Sequence, residues 1–215
     1  MRAPRLGVVF DCDSTLSTVE GIDELASRAG VRAEVEALTR AAMDGTVPLE
    51  AVYGRRLDLI RPRREDVAAI AAHYCQALVP GARETVAALQ AAGVAVALVS
   101  GGLEEALRPL ARWLDIEALH AVPLLWDENG HYRGVGASPL TTARGKAEVV
   151  ASWRAQQPSL ERVLMVGDGM SDAAARAPGA ADEFWAFVGV VERPAVLATA
   201  DRIIRRLAEI PALLR

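Results

Sequence analysis

Two aspartates, Asp11 and Asp13, close an apolar run, Leu6-Gly7-Val8-Val9-Phe10, with only Cys12 between them. Side chains alternate along an extended chain, so residues two apart point the same way. The pair therefore puts two carboxylates into one cleft where a strand gives way to a loop. Like charges so placed repel, and a bound cation or a shared proton is the usual remedy. The chemistry this suits is phosphoryl transfer. Asp11 can accept a phosphoryl group as an aspartyl phosphate, and Asp13 can protonate a leaving alcohol and later deprotonate water.

Two further strand ends carry polar groups. Val94–Val99 is a continuous apolar run, the mark of a central parallel strand, and Ser100-Gly101-Gly102 follows it. Val163–Val166 is followed by Gly167-Asp168-Gly169, with Asp172 a helical turn later. Ligands of open α/β sheets bind at the carboxyl ends of strands, so three such ends in one sheet make a joint signal. Asp168 completes a hard-oxygen site suited to Mg²⁺. Ser100 offers a hydroxyl, and the glycines after it let backbone N–H groups approach phosphate oxygens. Lys146 supplies a point positive charge. Three carboxylates and a phosphate dianion need both Mg²⁺ and Lys146 as counter-charges, and Asp13 is best placed protonated. Taken singly, each residue has a plainer reading. Asp13 and Asp172 could be helix caps, Ser100 a turn residue, and Lys146 a solvated helix lysine. Together those readings require several coincidences at one sheet edge.

The elements that must position these residues alternate. Leu6–Phe10, Val94–Val99 and Val163–Val166 read as strands, with Trp185–Val188 and Arg202–Ile204 as short later ones. Glu84–Ala92, Leu103–Leu114, Ala147–Gln156 and Leu207–Leu214 carry helical spacing. This predicts an α/β fold, a doubly wound, mostly parallel, Rossmann-like sheet. The stretch from Gly21 to Val79 breaks the rhythm with four helical segments, Ile22–Ala29, Glu34–Met43, Leu49–Ile60 and Glu65–Gln76, and Gly30 and Gly45 behind the first two. It reads as an inserted helical cap, residues 17–79, between the first two strands of a core formed by residues 1–16 and 80–215. Leu124–Trp126 and His131–Val135, joined around Asn129-Gly130, predict a small β-hairpin.

The 215 residues are 52% apolar and 24% charged, a globular composition. A formal net charge of −4 argues against binding nucleic acid through phosphate neutralisation. No apolar run nears the roughly 18 residues of a membrane span, and no signal peptide is read at the amino terminus. Cys12 and Cys75 are too few for a disulfide framework. The expectation is a cytoplasmic monomer or homodimer that binds neither membrane nor nucleic acid. His73, His120 and His131 lack zinc-site spacing.

Motif by motif, these residues resemble the haloacid dehalogenase superfamily of phosphohydrolases. Asp11-Cys12-Asp13-Ser14-Thr15 resembles its first motif, Ser100-Gly101-Gly102 its second, Lys146 its third and Gly167-Asp168-Gly169-Met170-Ser171-Asp172 its fourth. Within it, Glu20-Gly21-Ile22-Asp23-Glu24-Leu25-Ala26, Ala42-Met43-Asp44-Gly45, Arg55-Arg56-Leu57 and Gly179-Ala180-Ala181-Asp182 resemble segments of the phosphoserine-hydrolysing branch. The resemblance implies Asp11 as nucleophile and Asp13 as acid/base. It implies Mg²⁺ on the carboxylates of Asp11 and Asp168 and on the backbone carbonyl of Asp13, with Asp172 as an outer partner. Ser100, Gly101 and Lys146 would hold phosphate, and Met43 and Ser171 would line the substrate site. Glu20 would meet the ammonium of phosphoserine and Arg56 its carboxylate, for which a bidentate guanidinium is well suited. Leu49, Val122-Pro123 and Ser171 depart from the branch's usual residues. Another small phosphomonoester, or phosphotransfer, is the alternative within the superfamily. A non-hydrolytic nucleotide-binding module is the alternative from another class. Against it, the G-x-G-x-x-G pattern begun by Gly167 and Gly169 lacks its third glycine, and Asp168 would meet pyrophosphate with like charge.

Overall fold

The structure, a computed structural model, describes residues 5–43 and 47–214, with the backbone alone for Ala42 and Met43. Strand β1 (Leu6–Phe10) carries Val8, Val9 and Phe10 with no solvent exposure at all. A strand apolar on both faces must be covered by helices on both sides. After it the chain leaves the sheet for four helices, α1 (Gly21–Ala29), α2 (Arg32–Met43), α3 (Leu49–Ile60) and α4 (Arg64–Gln76). It returns through α5 (Ala82–Ala91) into β2 (Ala95–Leu103), then α6 (Glu104–Trp113) and β3 (Ala118–Val122). The short strands β4 (Leu124–Trp126) and β5 (Tyr132–Val135) pair antiparallel as the expected hairpin. Helix α7 (Gly145–Ala155), β6 (Arg162–Gly167), α8 (Met170–Ala174), β7 (Glu183–Phe187), α9 (Pro194–Leu197), β8 (Arg202–Ile204) and α10 (Ile210–Leu213) complete the chain.

The main sheet has the order β3-β2-β1-β6-β7-β8, and every neighbouring pair in it is parallel. Order reverses at β1, as in a doubly wound fold. The α/β architecture, the four-helix insertion and the hairpin therefore stand as expected; Gly45 lies outside the described residues.

The short helices α8 and α9 are absent from the sequence reading, and three other elements differ from it. Strand β2 continues through Ser100, Gly101 and Gly102 to Leu103, and its pairing with β3 shifts register between Val99 and Leu103. The second polar segment thus interrupts a strand rather than following one. Strand β3 was not expected; it is a short edge strand, half exposed over Ala118–His120, with no apolar run to announce it. The closing segment is a 3₁₀ turn, Leu207–Glu209, and then α10. Pro211, which has no N–H to donate, suits the first turn of a new helix better than the middle of a long one.

The insertion is tied at both ends. At its stem the Thr18 N–H donates to the Ala77 carbonyl at 2.9 Å, and the Val79 N–H donates to the Leu16 carbonyl at 2.9 Å. Far along the chain, the hairpin grips the turn between α3 and α4. The Arg64 N–H donates to the Gly130 carbonyl at 3.0 Å, and the Tyr132 hydroxyl to Asp58 Oδ1 at 3.1 Å. Among the described residues no helix is long and apolar enough to cross a membrane.

Phe10 fills the centre of the core immediately before Asp11. Phe10→Ala is expected to lower unfolding free energy by about 3–5 kcal/mol, measured as a fall in the urea midpoint at unchanged slope.

Candidate active site

Register brings the polar groups together. Phe10 pairs with Leu98 of β2 on one side and with Val166 of β6 on the other. Ser100 and Asp168 each stand two residues beyond those partners, so both arrive just past Asp11. The Asp11 N–H extends the ladder by donating to the Val166 carbonyl at 2.9 Å. The loop then closes tightly, with the Cys12 carbonyl accepting from the N–H groups of Thr15, Leu16 and Ser17 at 3.1, 2.9 and 3.1 Å. Ser14 takes a left-handed φ of 53°, uncommon for a residue with a Cβ. Its hydroxyl donates to Glu20 Oε1 at 2.6 Å.

Lys146, in the first turn of α7, lies between two buried carboxylates. Its Nζ is 2.9 Å from Asp11 Oδ2 and 2.5 Å from Asp172 Oδ1. Asp11 Oδ1 accepts from the Cys12 N–H at 2.7 Å, and Asp172 Oδ2 from the Gly169 N–H at 2.9 Å. Residue 167 has to be glycine for Asp172 to fold back this far, because a Cβ there would lie 2.2 Å from Asp172 Cγ. Asp168 Oδ2 is 2.9 Å from Arg193 Nη2, and the Thr15 hydroxyl donates to Asp168 Oδ1 at 3.5 Å.

One oxygen each from Asp11, Asp168 and Asp172 lies within 4.8 Å of the others, and all three residues are buried. Hard carboxylate oxygens this close are a fit donor set for a hard divalent cation. The Asp172 carboxylate belongs to the cluster itself. The Asp13 carboxylate lies outside it. Asp13 Oδ1 accepts from the Tyr74 hydroxyl at 2.6 Å, and Oδ2 accepts from the Gly21 N–H at 3.0 Å.

The electrostatics follow from burial. Desolvation, then the charges of Asp11 and Asp172, push Asp168 from 3.8 up to about 7, against the opposing pull of Arg193. Desolvation and Asp11 raise Asp172 to about 6, with Lys146 and the Gly169 N–H pulling the other way. Desolvation and then Glu20 raise Asp13 well above the usual carboxylate range, which favours its protonated form. Burial alone would lower Lys146, but the Asp11 and Asp172 carboxylates outweigh it and hold its pKa up. The Tyr74 phenol is pushed up by burial and by Asp13, so it stays a donor.

The insertion supplies the opposite wall. Ser100 is buried, and its Oγ accepts from the Gly102 N–H at 3.1 Å. The Tyr53 hydroxyl, from α3, donates to the Gly101 carbonyl at 2.6 Å. Arg56, a helical turn later, is only 9% exposed, unlike a solvated surface arginine. Its Nη1 donates to Thr39 Oγ1 at 3.2 Å, its guanidinium stands 5.4 Å from the Tyr53 ring centroid, and among the described residues its Nε has no hydrogen-bond partner. Glu20, just before α1, is 3.9 Å from Arg193 Nη2 as well as bonded to Ser14. Ser171 is half-buried on the first turn of α8. Met43 ends α2, and its side chain lies outside those described.

Sequence reasoning missed Tyr53, Tyr74 and Arg193. Tyr53 stands three residues before Arg56 on one helix face, a spacing that could have marked it. Tyr74 follows the apolar period of α4 like any core residue, and Arg193 sits in a loop with no pattern around it.

Carboxylates from the ends of β1 and β6 and from the first turn of α8, with Ser100 of β2 beside them and a helical insertion facing them, define a hydrolase fold of one kind. Residues 8–176 match the family model of haloacid dehalogenase-like hydrolases, and the chain belongs to that family. A phosphoserine phosphatase from Bos taurus is 38% identical over 206 residues, which cover 94% of this chain and 90% of that one. Among solved structures, a phospho-aspartyl intermediate analogue of phosphoserine phosphatase is similar with a TM-score of 0.83 and 28% identity, covering all of both chains. A substrate-bound phosphoserine phosphatase complex has a TM-score of 0.83 and 27% identity, again covering all of both chains.

A carboxyl that titrates at about 7 in the fold and near 3.8 in the unfolded chain costs the fold nothing below about pH 4, where it is neutral in both. It costs progressively more as pH rises to about 7. Chelator-treated protein is therefore expected to melt lower at about pH 8 than at about pH 5. Added divalent cation should raise the melting temperature more at the higher pH. Equal cation-induced shifts at both would contradict the carboxylate cluster as the binding site.

Proposed function

We propose that the chain is a Mg²⁺-dependent phosphomonoesterase that converts L-phosphoserine to L-serine and phosphate through an aspartyl phosphate on Asp11. The carrying observation is the buried Asp11 carboxylate, held on Oδ2 by Lys146 and flanked by Asp168 and Asp172. A nucleophile placed so is fixed in direction and faces positive charge that can offset an incoming phosphate.

Asp11 attacks phosphorus as the ester P–O bond breaks. The departing serine oxygen takes its proton from Asp13, whose burial favours the protonated form. Asp13, now a carboxylate, then removes a proton from the water that attacks the aspartyl phosphate. Phosphate leaves and Asp11 is restored. Ser100, Gly101 and Lys146 hold the phosphoryl oxygens. Asp11, Asp168 and the Asp13 carbonyl, with Asp172 beside them, would hold Mg²⁺, which supplies positive charge between the carboxylates and the phosphate.

The substrate reading rests on the insertion. Arg56 is buried with an Nε that has no hydrogen-bond partner among the described residues, and Glu20 offers a carboxylate near the mouth of the β1 loop. A zwitterionic amino acid wants one of each. Met43 and Ser171 complete the assignment. Residues 17–79 act as a cap over a core of residues 1–16 and 80–215, and their stem hydrogen bonds support that division. A cytoplasmic setting accords with the free thiols of Cys12 and Cys75.

The test is phosphate release with Mg²⁺ from phosphoserine and from p-nitrophenyl phosphate, which has neither ammonium nor carboxylate. The wild type should hydrolyse phosphoserine. Arg56→Ala should lower kcat/KM on phosphoserine about 30-fold or more, as when a buried charge loses its partner, and change p-nitrophenyl phosphate hydrolysis by no more than about threefold. Equal losses on both esters would remove the role assigned to Arg56, and a wild type inert towards phosphoserine would remove the substrate.

A further inference from the structure

Tyr74 stands on the last turn of α4, 1% exposed, beside the stem that returns the chain to the core. Its hydroxyl reaches 2.6 Å to Asp13 Oδ1. The path is made by a missing side chain. A Cβ on Gly21 would lie 2.3 Å from the phenol oxygen. The same Gly21 donates its backbone N–H to Asp13 Oδ2 at 3.0 Å. Both oxygens of one carboxyl group are therefore held, one by each end of the insertion. The oxygen that Tyr74 holds and the Ser100 hydroxyl both lie beside Gly102. A Cβ on Gly102 would be 3.6 Å from Asp13 Oδ1 and 3.3 Å from Ser100 Oγ.

A single hydrogen bond leaves a carboxyl group free to turn about it, whereas donors to both oxygens fix its plane. Proton delivery to a leaving oxygen needs hydrogen-bond distance and alignment, and a misplacement of about 1 Å can cost about 10²-fold. We propose that Tyr74 is a positioning residue that fixes Asp13 for proton transfer to the leaving alcohol, and so makes the exit helix of the insertion part of the acid catalyst's geometry. This rests on Asp13 being the acid/base. Tyr74 itself touches neither substrate nor reacting atoms.

The readout is leaving-group dependence. An alkoxide departs poorly without a proton, while p-nitrophenolate departs without one. With saturating Mg²⁺, kcat/KM follows the steps up to departure of the alcohol. It is measured on phosphoserine and on p-nitrophenyl phosphate for the wild type, Tyr74→Phe, Asp13→Asn and the double variant. Tyr74→Phe should lose about tenfold or more on phosphoserine and less than about twofold on p-nitrophenyl phosphate. Adding it to Asp13→Asn should cause no further loss. The ratio of the two esters on one preparation does not depend on the fraction folded, so a poorly folding variant still gives an answer. Equal loss on both esters, no loss on either, or a phosphoserine loss that persists in the Asp13→Asn background would overturn the proposal. If Asp13→Asn is itself unselective between the esters, the acid/base reading falls and the role of Tyr74 with it.

Discussion

The contact of the Lys146 ammonium with Asp11 and Asp172 is the constraint on which the rest of the site depends. Its two distances, 2.9 and 2.5 Å, are made in a nearly dry setting. Isolated charges cannot be buried there, and removing one partner of such a set is strongly destabilising. The ammonium therefore fixes where α7 and α8 start relative to β1. It also explains why residue 167 has no side chain, since Asp172 must fold back across it to reach Lys146. What it leaves is an excess of carboxylate. Asp168 and Asp172 titrate high, and the cluster is fit to gain stability from a cation.

Charge is concentrated on the core side, and directional contacts come from the insertion. Helix α3 reaches the end of β2 through Tyr53 and Gly101, and α4 reaches the loop after β1 through Tyr74 and Asp13. Arg56 is held by its cation–π contact with the Tyr53 ring and by Thr39. An insertion immediately after the first strand places all of these within reach of Asp11 without disturbing the sheet. The topology is thereby tied to the chemistry. Ligand groups assemble at the point where strand order reverses, and the segment that leaves the sheet at that point supplies the wall opposite.

Much of this was legible in the residues. Asp11, Ser100 and Asp168 could be recognised because each follows an apolar run, and strand register does the rest. Lys146 and Asp172 were legible as members of the set, but their mutual contact was not, because helix α7 carries no mark of the direction in which its first turn points. The insertion showed itself by its helical period and by the absence of strands. The edge strand β3 escaped because it is half exposed and only five residues long. Tyr74 escaped for the opposite reason: a buried tyrosine on an apolar helix face looks like packing, and its hydroxyl partner lies 61 residues away in sequence. Arg193, in a loop beyond β7, pairs with Asp168 through tertiary placement alone.

The central claim is that Asp11 carries the phosphoryl group during turnover. The direct measurement is a millisecond quench of enzyme with phosphoserine and Mg²⁺, borohydride reduction of any acyl phosphate, and peptide mass spectrometry of the digest. Homoserine at position 11, formed in proportion to the burst of serine release, is the result expected. Full turnover with an unmodified residue 11 under the same quench, or reduction at a different carboxylate, would contradict it.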